Sequence, residues 1–131
     1  MDLKKYFTEH TGTGVFASAD KNGIVNTAIY ARPHVFDDAT LGFIMRPRLS
    51  RKNIHENGNA SYLFLESGES YKGARFRLKL IAESSDHELL SNVSRSHGTD
   101  RDNATEEQRF LVTFSVQKCF SLIGGEEIEI Q

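Results

Sequence analysis

From Tyr71 to Glu83 the sequence alternates: Ala74, Phe76, Leu78, Leu80 and Ala82 fall on one side, Arg75, Arg77 and Lys79 on the other. A period of two places those sets on opposite faces of an extended chain, so the segment is a half-buried β-strand. Several other segments read the same way. Gly14 to Ala19 forms a strand of small residues, Asp20-Lys21-Asn22-Gly23 a tight hairpin loop ending in Asn-Gly, and Ile24 to Arg32 the returning strand. Further strands are expected at Leu41 to Met45, Ala60 to Leu65 and Phe110 to Val116, with a closing hairpin from Phe120 to Ile130 around Gly124-Gly125. Helices are few. Leu3, Tyr6 and Phe7 share one face of a short N-terminal helix expected against a barrel end. Ser85-Asp86-His87-Glu88 reads as a capping box opening a helix through about Arg95, with Leu89, Leu90 and Val93 as its buried stripe. Ser96 to Asn103 is a polar surface loop, and Thr105 to Gln108 a second capping signal or a turn.

One stretch carries chemistry. Ser50-Arg51-Lys52-Asn53 follows the apolar strand Leu41 to Met45, the intervening loop adds Arg46 and Arg48, and a short helix is expected from Arg51 to Asn57 with Gly58 stopping it. Four cations therefore crowd one turn. Backbone N–H groups at a helix N-terminus, a serine hydroxyl and guanidinium groups suit a phosphate monoester. The plainer alternative is a solvated basic loop with Ser50 as an ordinary N-cap.

The order of these pieces resembles the FMN-binding split-barrel family, which includes the pyridoxamine 5′-phosphate oxidase-like proteins and small bacterial FMN-binding proteins. The resemblance runs as motifs over roughly residues 10 to 83 and beyond that as element order only. It implies a mainly β fold, an antiparallel split β-barrel of Greek-key type with a few short helices, built as one domain over residues 1–131. It also implies FMN as cofactor. Ser50, Arg51 and Lys52 match the Ser-Arg-Lys that holds the FMN phosphate, Asn53 continues that pattern, and Asn26, Thr27, Ala28 and Ile29 fall on the strand along the isoalloxazine edge. Ile44 and Met45 present backbone to the ring edge, Gly73 and Arg75 match the following strand, and the resemblance implies that Arg75 contacts the flavin or a second subunit, where the plainer reading of Arg75 and Arg77 is solvent exposure. Two positions depart from the pattern: Gly58 stands where a proline is usual and Leu78 where a glycine is usual. Family members are twofold dimers with the flavin between subunits, so a homodimer acting on a small-molecule substrate or redox partner is expected. A vitamin B6 oxidase would need a C-terminal segment with Arg, His and Trp; this chain has no Trp, and its C-terminus is acidic.

Composition narrows the remaining choices. Nine Phe and four Tyr are enough to fill one small core. A net charge of −2 argues against a nucleic-acid protein. No unbroken apolar run approaches the ~20 residues of a membrane helix, and the N-terminus lacks an apolar segment of signal-peptide length. One cysteine, Cys119, cannot form an internal disulfide and reads as a buried thiol in a cytoplasmic protein. His10, His34, His55, His87 and His97 share no ligand-like spacing, so no metal site is expected, and His34 is the one nearest the flavin strand. Three functions stay open. The chain is an FMN-dependent oxidoreductase, or an FMN or haem carrier or electron-transfer protein without turnover, or a cofactor-free barrel whose basic turn meets only passing anions.

Overall fold

The computed structural model describes residues 1–37, 39–85, 87–96 and 108–131. Its elements run α1 (Leu3–Glu9), β1 (Gly12–Ala19), β2 (Val25–Ile29), β3 (His34–Asp37), β4 (Thr40–Met45), α2 (Leu49–Glu56), β5 (Asn59–Glu66), β6 (Gly73–Ser84), α3 (His87–Ser96), β7 (Phe110–Ser121) and β8 (Glu127–Ile128). All strand pairings are antiparallel, along the path β2-β1-β5-β6-β7-β4-β3, with β8 on the free edge of β7 beyond β4. Three strands separate β1 from β4 on this path, yet the rings of Phe16 and Phe43 lie 5.3 Å apart and Phe43 meets Tyr62 at 4.9 Å. The sheet is therefore rolled, with the hydrogen-bonded ladder open between β2 and β3. This is the expected split barrel.

The apolar halves of the strands supply the interior. Phe16, Tyr62, Phe64, Phe76 and Phe114 are fully buried, and side chains of this size stabilise the fold by about 1.5–3 kcal/mol each. Helix α1 adds Leu3 and Phe7, and Phe7 packs at 5.4–6.3 Å against Phe76, Phe64 and Tyr62. At the first hairpin Asp20 Oδ1 accepts from the N–H groups of Asn22 and Ile24, and Gly23 takes the left-handed φ of +81° that only glycine adopts without strain. Gly14 matters for another reason: a Cβ there would run into the Tyr62 hydroxyl.

Three sequence expectations need correction. The returning strand ends at Ile29 rather than Arg32, because the carbonyls of Tyr30 and Ala31 accept from the Tyr62 hydroxyl and the Arg32 guanidinium donates to the carbonyls of Phe7 and His10. A separate strand, β3, then starts at His34. Second, the inward face of β6 holds only through Leu78; Leu80 is half-buried and Ala82 exposed, since the register against β7 shifts twice, once between Arg77 and Leu78 and again between Leu80 and Ala82. Third, β7 runs unbroken past Val116 through Cys119 to Ser121, so Phe120 lies on that strand, and there it pairs with Glu127 of β8 in the expected closing hairpin around Gly124-Gly125. Cys119 is buried, and burial pushes its thiol up to about 11. Leu90 and Val93 of α3 pack on Leu111 and Ile44 as a satellite cluster. Asp86 of the capping box, the loop after Ser96, His97 and Thr105 lie outside the described residues, as does the side chain of Leu89. Among the described residues no helix is long and apolar enough to cross a membrane.

Candidate functional site: the basic turn at the start of α2

Helix α2 begins two residues earlier than the sequence suggests. Arg48, in an extended conformation, is the N-cap and offers no side-chain cap bond; Lys52 N–H donates to the Arg48 carbonyl at 3.1 Å to close the first turn. Ser50 is thus inside the helix, and its hydroxyl is turned to the Tyr30 hydroxyl instead of capping the backbone. The helix ends at Glu56 with Asn57 as its C-cap, whose φ of −143° is extended and whose side chain accepts from Asn59 N–H at 3.1 Å, so Gly58 is not its stop. No acidic residue occupies the first turn, so no carboxylate of the helix itself offsets the partial positive charge there.

Beneath this turn lies a polar floor. Among the described residues the buried polar side chains are Ser18, Ser50 and Asn53, all at most 5 % exposed, and all belong here. Asn53 Nδ2 donates to Ser18 Oγ at 3.2 Å, which ties α2 to β1. Burial raises the Tyr30 hydroxyl above its ordinary value, opposed by the bond from Ser50 and the charge of Arg48. Above the floor stand Arg46, half-buried, and Arg48 and Lys52, both exposed. Hydroxyl and amide groups below and cations around a helix N-terminus form a donor set that fits a phosphate monoester.

Arg51 is engaged elsewhere in this state. Its Nε donates to Glu83 Oε1 at 2.6 Å and its Nη2 to Glu83 Oε2 at 3.1 Å, while the guanidinium stacks 3.6 Å from the centroid of Phe110. His55 Nε2 stands 3.3 Å from the same Oε1. The Arg51 hydrogen bond holds the Glu83 carboxyl below its ordinary value. Phe110 pairs with Met45 across the β4–β7 ladder, so this cluster sits where the strand turns into the basic loop.

The other expected site residues divide. Asn26, Thr27, Ala28 and Ile29 lie on β2, an end strand of the path, and α2 packs on β1 and β2, so the fold sets this strand against the helix. Ile44 and Met45 are adjacent to it as well, but Met45 is fully buried and Ile44 faces the α3 cluster, leaving backbone as their available chemistry. The β3 ladder along β4 reaches only to Gly42. Arg75 is not brought to the turn. It lies on the outer face of β6, donating from Nε to the Ser121 carbonyl at 2.9 Å and from Nη2 to the Gly124 carbonyl. Ser18, Tyr30, Glu83 and Phe110 are site residues that sequence reasoning missed. Tyr30 and Glu83 read simply as strand residues, and no local signal marks either. Burial also lowers His34 below its usual value, with Lys4 adding to the effect, and its ring packs on Phe36. Among the described residues no group of three or more His, Cys, Asp or Glu side chains forms a metal site.

No family model and no curated protein matches the sequence. Solved structures do match the fold. An FMN-binding protein from Syntrophomonas wolfei aligns over 94% of this chain and 85% of its own, with TM-score 0.79 and 15% identity. A protein from Clostridium acetobutylicum related to general stress protein 26, of the pyridoxinephosphate oxidase family, aligns over 98% and 94% with TM-score 0.69 and 10% identity. The haem storage protein HutZ of Vibrio cholerae aligns over 92% and 94% with TM-score 0.66 and 18% identity. The architecture is thus the split barrel shared by FMN-binding and pyridoxine-phosphate-oxidase-like proteins.

Proposed function

We propose that this chain binds FMN with its phosphate on the α2 turn and acts, as a homodimer, as an FMN-dependent oxidoreductase of a small molecule. The observation that carries the reading is the basic turn over a buried polar floor, on a fold that a known FMN-binding protein shares. Lys52, Arg48 and the first-turn N–H groups of α2 hold the phosphate. Ser50 and Asn53 brace the turn from beneath, tied to Tyr30 and Ser18. The backbone of Asn26 to Ile29 and of Ile44 and Met45 borders the ring. Bound FMN supplies the one- and two-electron chemistry; the protein supplies position and the charge around the ring.

A second subunit is supported by the outer face. Ile29, Val15 and Leu63 stand side by side across β2, β1 and β5, with Ile29 69 % exposed. Leu63 pairs in turn with Arg75 of β6, so a second copy covering that row would also meet the outer face of β6. A lone thiol kept inert by burial suits a cytoplasmic location. A carrier without turnover is the second reading, favoured by the likeness to a haem storage protein.

Reconstitution of the purified protein with FMN and with haem, followed by absorbance titration, separates the readings. Saturable binding of one FMN per chain, with consumption of a nicotinamide donor in the presence of acceptors, is the expected result. Saturable haem binding with no response to FMN would overturn it. Light scattering over a dilution series should show FMN tightening self-association; a monomer of unchanged FMN affinity at every dilution would remove the intersubunit site.

A further inference from the structure

We infer that Glu83 is a built-in competitor for the anion site: its carboxylate occupies the donor edge of Arg51 that a phosphate would use, and a bound phosphate monoester must displace it to recruit Arg51. The inference rests on the phosphate reading of the α2 turn. A guanidinium fork presents the same paired N–H geometry to a carboxylate and to a phosphate, so the two compete for one edge. That edge is now filled by Glu83 at 2.6 and 3.1 Å. Arg51 and Glu83 side chains are 22 and 24 % exposed, which leaves the pair accessible for exchange.

Two neighbours make exchange feasible. Phe110, 3.6 Å below the guanidinium, keeps the cation beside the basic loop through its ring face while leaving the edge to whichever anion takes it. His55, 3.3 Å from Glu83 Oε1, gives the carboxylate a remaining partner once Arg51 is released. A phosphate dianion carries the larger charge among the cations of Arg46, Arg48 and Lys52, so it gains more there than the monoanionic carboxylate does. Glu83 therefore sets how tightly the turn binds, by withholding the Arg51 guanidinium until the ligand arrives.

A double-mutant cycle tests this with wild type, Glu83→Gln, Arg51→Ala and the double variant, each titrated with FMN by fluorescence and with inorganic phosphate by calorimetry. Glu83→Gln should tighten both ligands about five- to tenfold when Arg51 is present and by less than about twofold when Arg51 is alanine. Equal tightening in both backgrounds would mean that Glu83 acts by general charge alone, and weaker binding in Glu83→Gln would mean that it positions Arg51; either overturns the inference. FMN bound alike by wild type and Glu83→Gln would sink the competitor and leave the flavin reading standing. The coupling pattern with phosphate, in a protein that ignores FMN, would do the reverse. Binding of neither ligand to any variant would overturn both.

Discussion

Arg51 and Arg75 occupy comparable settings and are tied down by different chemistry. Each is an arginine stacked near a phenylalanine of β7, Arg51 at 3.6 Å from Phe110 and Arg75 at 5.7 Å from Phe120. Arg51 is held by a carboxylate, an anion that another anion can replace. Arg75 is held by two backbone carbonyls, at Ser121, the last residue of β7, and at Gly124 in the turn that leads to β8. Those carbonyls are neutral and fixed, so Arg75 serves the local architecture where β6 meets the end of β7. An arginine's role is thus set by what it would have to release.

The comparison breaks most readily at the turn itself. Arg51→Ala and Lys52→Ala should each weaken FMN roughly 10- to 100-fold, as the loss of charge-assisted hydrogen bonds implies, with the circular dichroism spectrum unchanged because both side chains leave from the surface of α2. Unaltered FMN titrations in both variants would separate the flavin from this turn. Arg75→Ala should act on stability: denaturant unfolding is expected to lose about 1–2 kcal/mol through the two carbonyl bonds, while the preference for phosphorylated flavin stays as in wild type. A variant that keeps full stability and loses that preference would reverse the roles of the two arginines. The smallest effect is acid sensitivity. Pairing lowers Glu83 below its ordinary 4.5, so its contribution is present above that value and lost as pH falls through the lowered one. Solvent screening keeps it under about 1 kcal/mol. Unfolding curves of wild type and Glu83→Gln should therefore converge in acid, and a constant gap down through that range would show that the pair contributes nothing.

Much of the barrel is legible because a period of two survives in β1, β5 and the first half of β6, because β4 is a short apolar run, and because Asp20 to Gly23 carries its turn chemistry within four residues. Strand β3 is not, since its four residues, of which Phe36 and Asp37 are exposed, give no period to read. Ser50 shows a different failure. It has the residue type and position of an N-cap, but its hydroxyl is claimed by Tyr30 across the fold, and the helix starts at Leu49. Glu83 lies 32 residues from Arg51, and only the rolled sheet brings them together. The cations of the site were visible as a cluster; what restrains one of them was written in tertiary contacts.

The central claim is that the α2 turn recognises a phosphate, and the most direct test compares FMN with riboflavin, which share the ring and differ in that group. Paired titrations of the same preparation by flavin fluorescence should give FMN a dissociation constant at least about 100-fold lower, since several charge-assisted bonds of ~1.5–3 kcal/mol are at stake. Equal dissociation constants for the two flavins would contradict the account.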